Sequence, residues 1–166
     1  MKLWLIGMMG TGKTAAGRIA ASELNTAFFD TDEVVAERMG CSIAQLWGSL
    51  GERAFRDLET VAMISLADSE GIVATGGGVV LSDRNRDLIR ESGSAVWLRA
   101  SPGVLARRLG DGDDRPLLRE GVNRETIEKH LQQREPLYRS LADHEIETDD
   151  LHVLEVASII GSIWAM

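Results

Sequence analysis

The stretch Gly7-Met8-Met9-Gly10-Thr11-Gly12-Lys13-Thr14 constrains this chain more than any other. It fits G-x-x-x-x-G-K-[ST], a glycine-rich turn whose backbone N–H groups converge on polyphosphate oxygens. The pattern requires a strand before it and a helix after it. Leu3 to Ile6 read as a short buried strand, and Lys13 to Leu24 as a helix whose positive N-terminal end faces the anion. Lys13 then reaches the β- and γ-phosphates, and Thr14 offers its hydroxyl to Mg²⁺. The competing reading is a chance glycine turn ahead of a core helix, and the order of strand, loop and helix weighs against it.

The 166 residues fit one domain, 1–166, large enough to bury a core. A net charge of -8 argues against a sequence-independent grip on nucleic acid or an anionic membrane, so neither partner is expected. Lys2, Lys13 and Lys129 are the only lysines, so arginine supplies nearly all of the 18 basic residues. The arginine fork suits carboxylate and phosphate, although a GC-rich coding sequence gives the same bias. Cys41 is the single cysteine, which excludes an intrachain disulfide and suits a reducing, cytoplasmic compartment. His130, His144 and His152 show no metal-ligand spacing. No apolar run approaches a membrane span, and Lys2 to Ile6 is too short for a signal peptide.

After the first helix, Thr26 to Phe29 read as a strand running into Asp30-Thr31-Asp32. An extended chain would send both carboxylates to one side, at the strand end where open α/β sheets bind ligands. The alternative is that Asp30 or Asp32 only caps a helix beginning at Glu33. Ser42 can cap a short helix through Trp47, followed by a longer one from Gly51 to Leu66. There Glu52, Arg56 and Glu59 share a face, either to orient the guanidinium or as a solvated salt-bridge ladder. Ile72 to Thr75 read as a strand ending in Gly76-Gly77-Gly78, where a backbone comes close to a ligand or simply makes a loose turn. A helix over Asp83 to Glu91, a strand over Ala95 to Leu98 and a helix over Pro102 to Leu109 follow. Gly110 to Pro116 has the composition of a surface loop or of a lid carrying Arg115. A helix from Arg124 is expected to break at Arg134 to Tyr138, where Pro136 intervenes. The last elements are a strand over His144 to Glu147 and a helix over Leu151 to Trp164, with Leu151, Leu154, Ala157 and Ile160 turned inward. This alternation predicts an α/β protein with a parallel sheet and helices on both faces.

Taken together, GMMGTGKT (7–14), DTD (30–32), GERAFRDLE (51–59), TGGG (75–78), RPLL (115–118) and REPLYR (134–139) closely resemble the shikimate kinase family along nearly the whole chain. The resemblance implies a three-layer P-loop NTPase fold similar to nucleoside monophosphate kinases. Its five-stranded parallel sheet would run in the order 2-3-1-4-5, with a substrate-binding region at about 31–60 and a mobile lid at about 110–122. It implies transfer of the γ-phosphoryl group of ATP to the 3-hydroxyl of shikimate, on the chorismate route to aromatic amino acids, by a monomer. Gly10, Thr11, Gly12, Lys13, Thr14 and Ala15 would hold ATP, Arg108 would stack near adenine, and Thr14 and Asp30 would serve Mg²⁺. Asp32 would bind the shikimate hydroxyls and accept a proton. Arg56 and Arg134 would clamp its carboxylate, and Glu59 would orient Arg56. Gly76, Gly77 and Gly78 would let the backbone approach the ring, Trp47 and Phe55 would line the pocket, and Arg115 would arrive with the lid.

Two places depart from the family pattern. Trp47 stands where phenylalanine is frequent, and Thr148 to Val153 lacks the basic residues and proline of the usual adenine loop, leaving Val153 as an apolar contact. Two other functions compete. One is a kinase of another carboxylated polyol such as gluconate, which has no evident need for GERAFRDLE and TGGG together. The other is a nucleotide-binding regulator without catalysis, which expects a lost functional residue among Lys13, Asp30, Asp32, Arg56, Arg115 and Arg134.

Overall fold

Apolar residues on alternate positions of the first strand face opposite ways, and two separate cores form as a result. In the computed structural model, which describes residues 1–110 and 124–166, β1 (Lys2–Ile6) is the central strand of a sheet ordered β2-β3-β1-β4-β5. The others are β2 (Phe28–Asp30), β3 (Gly71–Ala74), β4 (Ser94–Arg99) and β5 (His144–Glu147), all paired in parallel. Leu3 and Leu5 join Ile72, Val96 and Leu98 on one face, under α1 (Lys13–Glu23) and α7 (Val153–Trp164). Trp4 and Ile6 join Val73 and Trp97 on the other face. That second face is covered by α3 (Ile43–Ser65), α4 (Asp83–Ser92) and α6 (Arg124–Leu141), while α2 (Thr31–Met39) lies against α3 and α5 (Pro102–Leu109) against α6. A parallel sheet covered on both sides is why its strands read as nearly unbroken apolar runs. The predicted order 2-3-1-4-5 is the one found, and among the described residues no helix is long and apolar enough to cross a membrane.

Three features differ from expectation and one agrees with it, each for a local reason. The chain does not stay extended through Asp30-Thr31-Asp32. It turns into α2 at Thr31, because Asp30 caps that helix by accepting the Asp32 N–H at 2.9 Å. Gly51, at φ 77 and ψ 172, divides α3 into the two helical pieces expected there, a backbone conformation that glycine adopts without strain. Pro136 lies inside a continuous α6 and does not end it. Arg134 and Tyr138, buried on either side, hold the segment helical despite the lost N–H. In α7 the inner stripe is Val156, Ala157 and Ile160, whereas Leu154 is 57% exposed. The expected lid around Arg115 lies outside the described residues.

Candidate active site

The carboxyl ends of β1, β2 and β3 open into one cleft of about 470 Å³. Its near wall is the glycine loop and the start of α1, with Gly10, Gly12, Lys13, Thr14 and Ala15 among the lining residues. Gly12 sits at the N-cap of α1 with no side-chain hydrogen bond to the first turn, so the helix presents its own N–H groups at that end. The Lys13 ammonium is drawn back onto the loop, donating to the carbonyls of Gly7 at 2.8 Å and Met8 at 2.9 Å. Thr14 donates its hydroxyl to Asp30 Oδ2 at 2.7 Å, which ties the first helix to the end of β2.

The far wall comes from α2, α3 and the segment after β3. Asp32, Trp47, Phe55, Arg56, Glu59 and Gly76 to Gly78 face the same cleft. Asp30 lines it too, so the two aspartates reach one space although only Asp30 is in the strand. Arg56 is paired with Glu59 on one side and with Glu52 at 3.4 Å on the other. Glu52 is exposed, as in a surface ladder, but Glu59 is 1% exposed. Burial pushes the Glu59 carboxyl up to about 7, against the downward pull of the Arg56 guanidinium. The guanidinium also lies over Trp47, 5.2 Å from the ring centroid, and Trp47 and Phe55 are 5.1 Å apart.

The glycines are the counterpart of this crowding. A Cβ on Gly78 would overlap the Arg56 guanidinium, and one on Gly76 would overlap Glu59 and stand 3.0 Å from Asp32 Oδ1. Arg134 sits behind the cleft wall, 2% exposed, with its Nη1 3.4 Å from the Gly77 carbonyl. The Nε atoms of Arg56 and Arg134 are buried with no hydrogen-bond partner among the described residues. Such donors favour an anionic acceptor that can reach them.

Two more expected contacts fall elsewhere, and a third is met. Thr11 faces a second cavity of about 390 Å³ and donates its hydroxyl to the Met8 carbonyl at 2.8 Å. Val153 packs on the sheet-face core and does not line the cleft, since α7 begins at that residue and turns it inward. Arg108 does line the cleft, held by Thr148 through a 2.9 Å bond to Oγ1 and another to the carbonyl. Met9, Ile43, Thr75 and Leu109 also line it, and the sequence patterns did not single them out. Thr31 and Tyr138 were missed as well. Both are fully buried and bond to the glycine segment, Thr31 from between the aspartates and Tyr138 one helical turn after Arg134.

The two walls together set a G-x-x-x-x-G-K-[ST] loop opposite a wall that carries Asp32, Arg56 and Glu59. A family model described as shikimate kinase matches residues 9–163. A shikimate kinase of Marinomonas sp. is 39% identical over 157 residues, covering 93% of this chain and 86% of that protein. One from Thermodesulfovibrio yellowstonii is 42% identical over 158 residues, covering 94% and 90%. The solved structure of shikimate kinase from Acinetobacter baumannii in complex with shikimate superposes with a TM-score of 0.94 at 32% identity, covering 99% of this chain and 92% of that one. This chain belongs to the shikimate kinase family.

Proposed function

We propose that this protein transfers the γ-phosphoryl group of ATP to the 3-hydroxyl of shikimate, giving ADP and shikimate 3-phosphate for the synthesis of aromatic amino acids. As a shikimate kinase family member it is an ATP-dependent kinase. The observation that carries the acceptor assignment is the single cleft, with the glycine loop on one wall and Arg56, Glu59, Asp32 and Gly76 to Gly78 on the other.

In this reading Gly10, Gly12, Ala15 and the α1 N-terminus hold the phosphates, and Lys13 exchanges its loop carbonyls for phosphate oxygens. Thr11 acts through the loop it stabilises, and Arg108 flanks the base. Arg56 and Arg134 take the carboxylate of shikimate as a bidentate anion, for which their buried Nε donors are suited. Asp32 accepts the proton of the attacking hydroxyl, while Trp47 and Phe55 close the side of the pocket. Arg115, in the segment about 110–122 assigned as the lid, adds positive charge to the transferring group. Catalysis is then alignment and charge stabilisation, with little covalent chemistry asked of the protein.

A magnesium ion fits the chemistry of Thr14 and Asp30. A hydroxyl and a carboxylate 2.7 Å apart at the phosphate end are hard oxygen donors, suited to Mg²⁺ that keeps several waters and shares phosphate ligands. Bound there, Mg²⁺ would neutralise charge on the β- and γ-phosphates. A monomer is taken as the working unit, and the single Cys41 fits a reducing cytoplasm. A coupled ADP-release assay over shikimate, quinate and gluconate tests the assignment. Turnover confined to shikimate is expected, and faster turnover of gluconate would overturn it.

A further inference from the structure

The segment Gly76-Gly77-Gly78 has no side chains of its own with which to hold its place, yet it is pressed against Arg56 and Glu59 with no room for a methyl group at Gly76 or Gly78. Its position must therefore be set by its backbone partners. The Gly76 N–H donates to Thr31 Oγ1 at 3.0 Å. The Gly77 carbonyl accepts from the Tyr138 hydroxyl and, more loosely, from Arg134 Nη1 at 3.4 Å. Thr31 and Tyr138 are both 0% exposed. The Tyr138 ring is fixed in turn by Trp97 of β4, stacked at 5.9 Å between centroids and 24° between planes.

We infer that Tyr138 is a positioning residue for acceptor binding, tethering the Gly77 carbonyl so that the glycine segment keeps its place beside Arg56 while Arg134 changes partners. The inference rests on the proposed role of Arg134 as half of the carboxylate clamp. A guanidinium that turns toward a substrate carboxylate leaves the Gly77 carbonyl, and a buried carbonyl abandoned by its donor is costly. The tyrosine hydroxyl keeps that carbonyl bonded in either arrangement, so the segment does not follow Arg134. Burial pushes the phenol up to about 12, so it stays an O–H donor across neutral pH. Thr31 anchors the other end of the segment from the helix that carries Asp32.

Tyr138→Phe keeps the ring on Trp97 and removes only the hydroxyl. Expected are an increase of about tenfold in the KM for shikimate, the magnitude of a buried acceptor losing its donor, with the KM for ATP within about twofold of wild type. Backbone hydrogen exchange over residues 76–80 is expected to quicken at least about fivefold. Thr31→Val should reproduce both changes and Thr31→Ser should reverse them. A purely structural hydroxyl would lower Tm while leaving the ratio of the two KM values and the exchange at 76–80 as in wild type, and that result would overturn the inference. Should the wild-type protein itself fail to phosphorylate shikimate, the proposed function falls, and the exchange measurement alone then decides whether the tether exists.

Discussion

The polar groups on the two walls of the cleft are paired in opposite ways. On the phosphate wall Lys13 bonds its own loop carbonyls and Thr14 bonds Asp30. On the acceptor wall two arginine Nε donors are buried without a partner among the described residues, and a carboxyl is buried deeply enough to be pushed up to about 7. Binding on the first wall exchanges one set of hydrogen bonds for another, so its net gain per bond is modest. Binding on the second supplies partners to groups that have already lost their water, so the gain is larger and depends on an anion of the right shape. On the proposed assignment the phosphate wall suits a common cofactor, and the acceptor wall discrimination.

The comparison is broken most forcefully at Lys13. Lys13→Met should leave a folded protein, because its bonds to the Gly7 and Met8 carbonyls are local to the loop, yet lower kcat by about 10³-fold or more through lost charge on the transferring group. Circular dichroism alongside steady-state kinetics checks both halves. Arg56→Lys comes next. It keeps the charge and loses the fork, and kcat/KM for shikimate should fall by about 10- to 100-fold, the range of a lost charge-assisted hydrogen bond. Shikimate methyl ester, expected to be a poor substrate for the wild type, should be penalised far less by this variant. Equal losses on acid and ester would mean that Arg56 does not meet the carboxylate.

Glu59 sharpens the contrast through pH. Its carboxyl is held above the ordinary 4.5, so the folded state binds the proton more tightly than the unfolded chain. The stability it contributes is full below about pH 4.5 and is lost as pH rises through about 7. Glu59→Gln, which mimics the protonated form, should therefore gain Tm relative to wild type between those limits and run parallel to it above them. A constant Tm difference from pH 4.5 to 8 would contradict a buried, raised Glu59. The smallest effect is expected at Trp47. Trp47→Phe keeps an aromatic face near Arg56 and should raise the KM for shikimate less than about fivefold, as a weakened cation–π contact allows.

What the chain discloses before folding follows the range of the interactions involved. The glycine loop and the strands depend on local pattern, and His144 to Glu147 forms a strand over the same residues that the pattern indicates. Asp30 shows how two readings can coincide: the residue caps a helix and faces the cleft at once, so capping was no argument against a functional place. Pro136 and Leu154 mislead because packing decides them. A proline is tolerated where Arg134 and Tyr138 are held in the interior, and the phase of α7 is set by Val156 and Ile160 against the sheet. Thr31 and Tyr138 sit inside DTD and REPLYR, yet nothing local shows what they bond, for their partners lie 45 and 61 residues away in the chain.

Among the tryptophans, Trp4 and Trp97 are sealed in the sheet core, whereas Trp47 lines the cleft beside Arg56. An indole 5.2 Å from a guanidinium senses any change in that cation's pairing through its emission. The protein therefore carries its own optical probe at the acceptor wall. A titration followed by intrinsic fluorescence can report arrival of the small acid in real time and without a label, separately from any signal of turnover.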